Sequence, residues 1–136
     1  MPIQYVIDHK RWLVVARGHG TFTDADMYAY QDEVWTRPDV VGYDELVDMS
    51  DVQEIAARLP TAPRMHQLAQ VSATMDSQAN PTKFAIVAPD QLVHGLGRIY
   101  QSYRANAPGS TKQVAVFKTL LEALAFLGIE SLDETG

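Results

Sequence analysis

The stretch ELVDMSDVQEIAARLP, Glu45 to Pro60, decides how this chain folds. It opens as a buried strand, Glu45 to Met49, whose end is the polar turn Asp48-Met49-Ser50-Asp51. It then becomes a helix-like run that stops at Leu59-Pro60, because the residue before a proline is pushed out of the helical region. A strand, a polar turn and a helix in direct succession are the unit of an α/β chain.

Working upstream, Ile3–Ile7 and Trp12–Ala16 are β-branched and aromatic runs joined by Asp8-His9-Lys10-Arg11. So short a connection predicts an antiparallel hairpin. Gly18 and Gly20 are expected to end its second strand. The segment Thr21–Trp35 reads as a helix. Thr23 with Asp26 three residues later is a capping box with Asp in place of Glu. Met27, Tyr30 and Val34 then mark one helical face, and Pro38 closes the segment.

Working downstream, residues 61–78 read as a helix with Met65, Leu68, Val71, Ser72 and Met75 on one side, broken at Asn80-Pro81. Lys83–Pro89 is a near-continuous apolar strand, the mark of burial on both faces. Asp90 stands at the N-cap of the next helix, in which Leu92, Leu96, Ile99 and Tyr103 share a face. Ala107-Pro108-Gly109 ends that helix. QVAVFK, residues 113–118, is the last strand, and TLLEALAFLG, residues 119–128, is a helix stopped by Gly128. Glu130–Gly136 reads as an acidic, frayed tail. The expected order is β-β-α-β-α-β-α-β-α. That makes one domain over residues 1–136, an α/β fold with a single five-stranded mixed, mainly parallel sheet and about four helices.

The bulk composition narrows the function. The 136 residues contain no cysteine, which removes disulfides, thiolate catalysis and thiolate metal sites. This suits a reducing, cytoplasmic setting, and the amino end shows no signal-peptide pattern. No apolar run approaches the roughly 20 residues of a membrane span. The formal charge is −6, and Lys10-Arg11 is the only adjacent basic pair. Nucleic acid and anionic membrane surfaces, which reward clustered Lys and Arg, are therefore not the expected partners.

Candidate sites follow from the strand ends, since ligands in α/β sheets collect beyond the carboxyl ends of strands. Asp48, Ser50 and Asp51 form one such end and Asp90 another. Ser50 can be read as a turn cap or as a phosphoacceptor held near helix amides, and Asp48 as a turn former or a general base. Asp90 reads as a helix cap. HGLGR, His94 to Arg98, is not a dinucleotide loop, because its glycines fall inside a helical pattern and the third is missing. Each glycine costs the helix about 1 kcal/mol relative to Ala, which close helix–sheet packing or an open ligand groove at Gly95 and Gly97 would offset. His94 and Arg98, four apart, can grip one carboxylate or phosphate or simply face solvent. His9, His19, His66 and His94 have no metal-ligand spacing, and no cofactor motif, serine elbow or phosphate loop is present. Trp12 and Trp35 are assigned to the core and its margins.

The stretches LVDMSDV, FAIVAPDQLVHGLGRIYQSY and VAVFKTLLEALAFLG together resemble the STAS family, the SpoIIAA-like anti-sigma-factor antagonists, and within it the bacterial STAS/SEC14-like branch. The resemblance covers nearly the whole chain. In the antagonists it implies a phosphorylated serine a few residues past the strand-end turn. Here Ile55-Ala56-Ala57-Arg58-Leu59 occupies that stretch without a hydroxyl, so that role does not carry over. A phosphorylation switch would need Ser50, Ser72 or Ser77 instead. The SEC14-like side implies an apolar groove between helices and sheet, for which Met65, Leu68, Val71, Met75, Leu92, Leu96 and Ile99 supply material. The leading expectation is a non-enzymatic regulatory domain acting by contact with a protein partner, with a homo-oligomer as an option. The alternative is a carrier or sensor of a small apolar or lipid-like ligand.

Overall fold

Two strands begin the fold, β1 (Ile3–Asp8) and β2 (Leu13–Phe22), paired antiparallel with Ile3 opposite Gly18 and Asp8 opposite Leu13. The computed structural model describes residues 3–55, 62–76 and 81–132. Asp8 organises the hairpin loop by accepting the N–H groups of Lys10 (3.0 Å) and Arg11 (3.2 Å). Trp12 closes the loop at φ 55°, a left-handed conformation that a bulky side chain rarely takes.

The chain continues through α1 (Asp24–Val34), a 3-10 turn at Pro38–Val40, β3 (Asp44–Ile55), α2 (Ala62–Thr74), β4 (Lys83–Val87), α3 (Gln91–Asn106), β5 (Gln113–Phe117) and α4 (Leu120–Leu127). The sheet order is β1-β2-β3-β4-β5, with β2 to β5 all parallel. This is the five-stranded mixed sheet and the element order that the sequence predicts. Because the order never reverses, the sheet has no switch point where a crevice opens between helices on opposite faces. Instead α1, α2 and α3 share one face, packing Tyr30, Val34, Leu68, Val93 and Tyr100 with Val14, Phe84, Ile86 and Val114. The other face is covered by α4, whose Ala123, Leu124 and Leu127 meet Leu13, Leu46, Ala85 and Val87. β4, flanked by β3 and β5, is thus buried on both sides, as its apolar run requires.

Local signals behave as expected. Thr23 accepts from the Asp26 N–H (3.1 Å) while Asp26 accepts from the Thr23 N–H (2.9 Å), completing the capping box. Asp90 accepts the N–H groups of Leu92 (2.9 Å) and Val93 (3.1 Å). Gly128 ends α4 at φ 74°, and the Ile129 N–H returns to the Leu124 carbonyl at 2.9 Å.

Three expectations are corrected. Gly18 and Gly20 do not end β2, which runs on to Phe22. A Cβ on Gly18 would fall 2.9 Å from Val52 and 3.1 Å from Met49, so this glycine makes room for side chains of the neighbouring strand. Likewise Asp48–Asp51 is not a turn, and Val52–Ile55 is not helical. β3 continues through both by pairing with the long β2, with register shifts that give β3 an extra residue between the Asp48 and Asp51 pairs and again between Val52 and Glu54. The rest of the helix-like run, residues 56–60, lies outside the described residues. Finally, the apolar faces of α2 and α3 are turned by about one residue. In α3 the buried side chains are Val93, Tyr100 and Arg104, while Leu92 and Ile99 are 52% and 41% exposed. The cause is Gly97, where a Cβ would come within 3.2 Å of Val116. The helix rests on the sheet along this line, not along the row of leucines. In α2, Leu68, Ala69, Ser72 and Ala73 are buried and Val71 is exposed. Of the expected tail, Leu132 packs against the α4 cluster, and residues 133–136 lie outside the described residues.

Candidate functional site

Between the layer of α1, α2 and α3 and the sheet lies a cavity of about 90 Å³. Met27, Val47, Met49, Leu68, Ile86 and Leu96 supply its apolar wall, with Gly97 completing it on α3. Strand alternation places Glu45, Val47 and Met49 on this side of β3, with Leu46 on the α4 side. Glu45 is the second residue of β3, so it marks the amino end of the parallel strands. Met49 and Ile86 mark the carboxyl end.

The floor of the cavity is a buried polar network. Glu45, 1% exposed, accepts three donors. Tyr30 Oη donates to Oε2 at 2.7 Å, Trp35 Nε1 donates to the same oxygen at 3.2 Å, and Lys112 Nζ donates to Oε1 at 3.1 Å. The Lys112 ammonium also sits 3.6 Å from the centroid of the Trp35 ring, so an aromatic face and a carboxylate together replace the water it loses. Burial, and then the neighbouring Glu45 charge, push the Tyr30 hydroxyl well above its ordinary value, which keeps it protonated and donating. Beside it Gln31 Nε2 donates to Ser72 Oγ at 2.6 Å, and Tyr100 is raised chiefly by burial.

A second buried pair, Arg104 with Asp76, stands next to this network. Asp76 Oδ2 further accepts the N–H groups of Thr111 (2.9 Å) and Lys112 (3.1 Å), fixing the approach to β5 and with it the Lys112 backbone. Every Glu45 oxygen is therefore occupied, and Glu45 has the bonding of a structural carboxylate and not of a poised general base. Among the described residues no group of acids and histidines is disposed to hold a metal ion.

The residues expected from sequence are not gathered at this cavity. Asp48, Ser50 and Asp51 lie along β3. Ser50 is exposed, and its N–H (2.9 Å) and Oγ (2.5 Å) both donate to Asp48 Oδ1, a local loop within the first bulge. Asp51 is exposed with its carboxylate 3.8 Å from His19 Nδ1. Asp90 is occupied as a helix cap, and no hydrogen bond or ion pair among the described residues links it to the other three. Of the groove set, only Gly97 lines the cavity. Gly95 is exposed, and a Cβ there would meet nothing within 4 Å. Arg98 is exposed and His94 half-buried, with neither in a side-chain hydrogen bond among the described residues. Ser72 is buried, and Ser77 lies outside the described residues.

Sequence reasoning missed Glu45, Tyr30, Trp35, Lys112, Asp76 and Arg104. One signal was available for Glu45: it shares a period-2 face with Val47 and Met49, so an acid stands on a core-facing row.

No family model matches the chain, and no curated protein matches it. Among solved structures it is similar to the crystal structure of an uncharacterized protein from the DUF3478 family, with a SpoIIAA-like fold, from Shewanella loihica PV-4. The match has a TM-score of 0.56 over 92% of this chain and 93% of that one, at 15% sequence identity. The fold of this protein is therefore SpoIIAA-like, as the resemblance of its sequence implies.

Proposed function

We propose that this protein is a non-enzymatic carrier or sensor of a small apolar ligand, held between the helices α1–α3 and the sheet. The observation that supports this reading is the cavity itself. Close-packed cores leave few voids larger than a water molecule, whereas this one measures about 90 Å³ and is walled by two methionines among branched aliphatic groups. Methionine adapts its shape to an occupant without loss of contact. The volume suits a small molecule and not an entire lipid.

Two measurements test the reading together. Gentle-ionisation mass measurement of freshly purified protein should show a species heavier than the bare chain. Thermal unfolding with a saturating small hydrocarbon should shift Tm upward. At a hundredfold excess over Kd the linkage amounts to about 2.7 kcal/mol, on the order of 10 °C for a chain of this size. A bare-chain mass together with an unchanged Tm would sink the proposal.

Protein contact is a second reading, favoured by one observation. Leu92 and Ile99 on α3 and Val71 on α2 are large apolar residues left exposed on the outer helical layer. Polar substitution of Leu92 and Ile99 should then abolish retention of a partner in affinity capture while leaving Tm unchanged. Retention by the doubly substituted protein would rule this surface out.

A further inference from the structure

Resting on the ligand-binding reading above, we infer that the cavity selects an uncharged hydrocarbon-like molecule of about one small ring, and rejects acids and amines of the same size. The selection follows from how completely the polar groups around it are already engaged.

Among the described residues four polar ones reach the cavity wall: Tyr30, Gln31, Glu45 and Tyr100. The Tyr30 hydroxyl is donated to Glu45, and Gln31 Nε2 to Ser72. Glu45 itself takes three donors. An anionic head group would need a cation. The two buried cations nearby are committed, Lys112 to Glu45 and Arg104 to Asp76. Arg104 Nε has no partner among the described residues, but Arg104 is not part of the wall. Among the described residues, an anion in the cavity would therefore meet the Glu45 carboxylate and no free counter-charge. A cationic ligand would face the reverse problem, since it could reach Glu45 only by displacing Lys112 from between that carboxylate and the Trp35 ring. Either charge would be buried unpaired, which the protein interior penalises heavily. An uncharged hydrocarbon asks nothing of the network.

Size gives the second limit. An apolar cavity of about 150 Å³ stays dry and takes benzene. The cavity here, about 90 Å³, takes a single ring once Met27 and Met49 shift their flexible ends.

The test uses three probes that share one ring: toluene, benzoate and benzylamine. Each is titrated into the full chain at neutral pH, following the methyl resonances of Val47, Leu68 and Ile86 by NMR. Toluene should shift these methyls saturably, and benzoate and benzylamine should bind at least tenfold more weakly. If either charged probe binds as tightly as toluene, the selection inferred here is wrong while ligand binding stands. If toluene shifts no methyl in the wall, the binding reading fails with it. A Leu96→Trp variant, filling the cavity from α3, should lose the toluene response. Should that variant not fold, the location still rests on the methyl map, and toluene shifts concentrated elsewhere in the molecule would overturn the assignment.

Discussion

Glu45 and Lys112, 67 positions apart in the chain, meet as a buried ion pair with Nζ 3.1 Å from Oε1. Their side chains are only 1% and 7% exposed, so neither charge is solvated by water once the fold has formed. The pair ties the start of β3 to the start of β5, across the intervening β4. Tyr30 and Trp35, from α1 and just after it, add their donors to the same carboxylate. The floor of the cavity is thereby pinned from three parts of the chain, leaving adaptability to the methionines at the other end.

Breaking this pair from one side should cost far more than removing both partners. Lys112→Met leaves the Glu45 carboxylate buried without its cation, a loss of about 3–5 kcal/mol. The double variant Glu45→Gln, Lys112→Met should fall short of the summed single losses by about 1–3 kcal/mol. Urea unfolding at constant m-value measures all three. Additive losses would mean the two groups are not coupled.

Alkaline pH should unfold the protein through its buried tyrosines. Tyr30 and Tyr100 both have hydroxyls raised above the ordinary value of 10.0, burial being the first cause in each. Between the unfolded and folded values the native state binds more protons than the unfolded one, so stability falls as pH rises. The contribution of each is complete below pH 10 and is lost as pH climbs toward the folded value. Of six tyrosines, these two should ionise only with unfolding. Tyrosinate absorbance near 295 nm, followed beside circular dichroism, checks this. Ionisation of all six ahead of unfolding would contradict the burial.

The two glycines of α3 should respond oppositely to substitution. Gly95→Ala adds a methyl group into open space and removes the flexibility of a helical glycine, a gain of about 1 kcal/mol. Gly97→Val drives its side chain into Val116, from which even a Cβ stands only 3.2 Å away. Overpacking of this kind costs about 1–3 kcal/mol. Thermal unfolding of the two variants gives the comparison, and a gain at both positions would show that α3 does not rest on the sheet through Gly97.

The order of the elements and the caps of the helices were legible in the sequence because their causes are local. Thr23 and Asp90 cap helices through N–H groups two or three residues away, and Gly128 ends α4 by its own backbone angle. The apolar run Lys83–Val87 announced a strand covered on both faces in the same way. Tertiary structure alone decided the rest. β2 passes Gly18, and β3 passes Asp48–Asp51, because each is the other's hydrogen-bonding partner; a strand's length depends on its neighbour as well as on its own residues. Which row of α3 faces inward was decided by how closely Gly97 lets the helix approach Val116. Of the polar floor, one segment shows only that Glu45 stands on a core-facing row; its partners come from elsewhere in the chain. Trp35, Tyr30 and Lys112 each look unremarkable in place, and only the closing of the sheet brings these three donors to the Glu45 carboxylate.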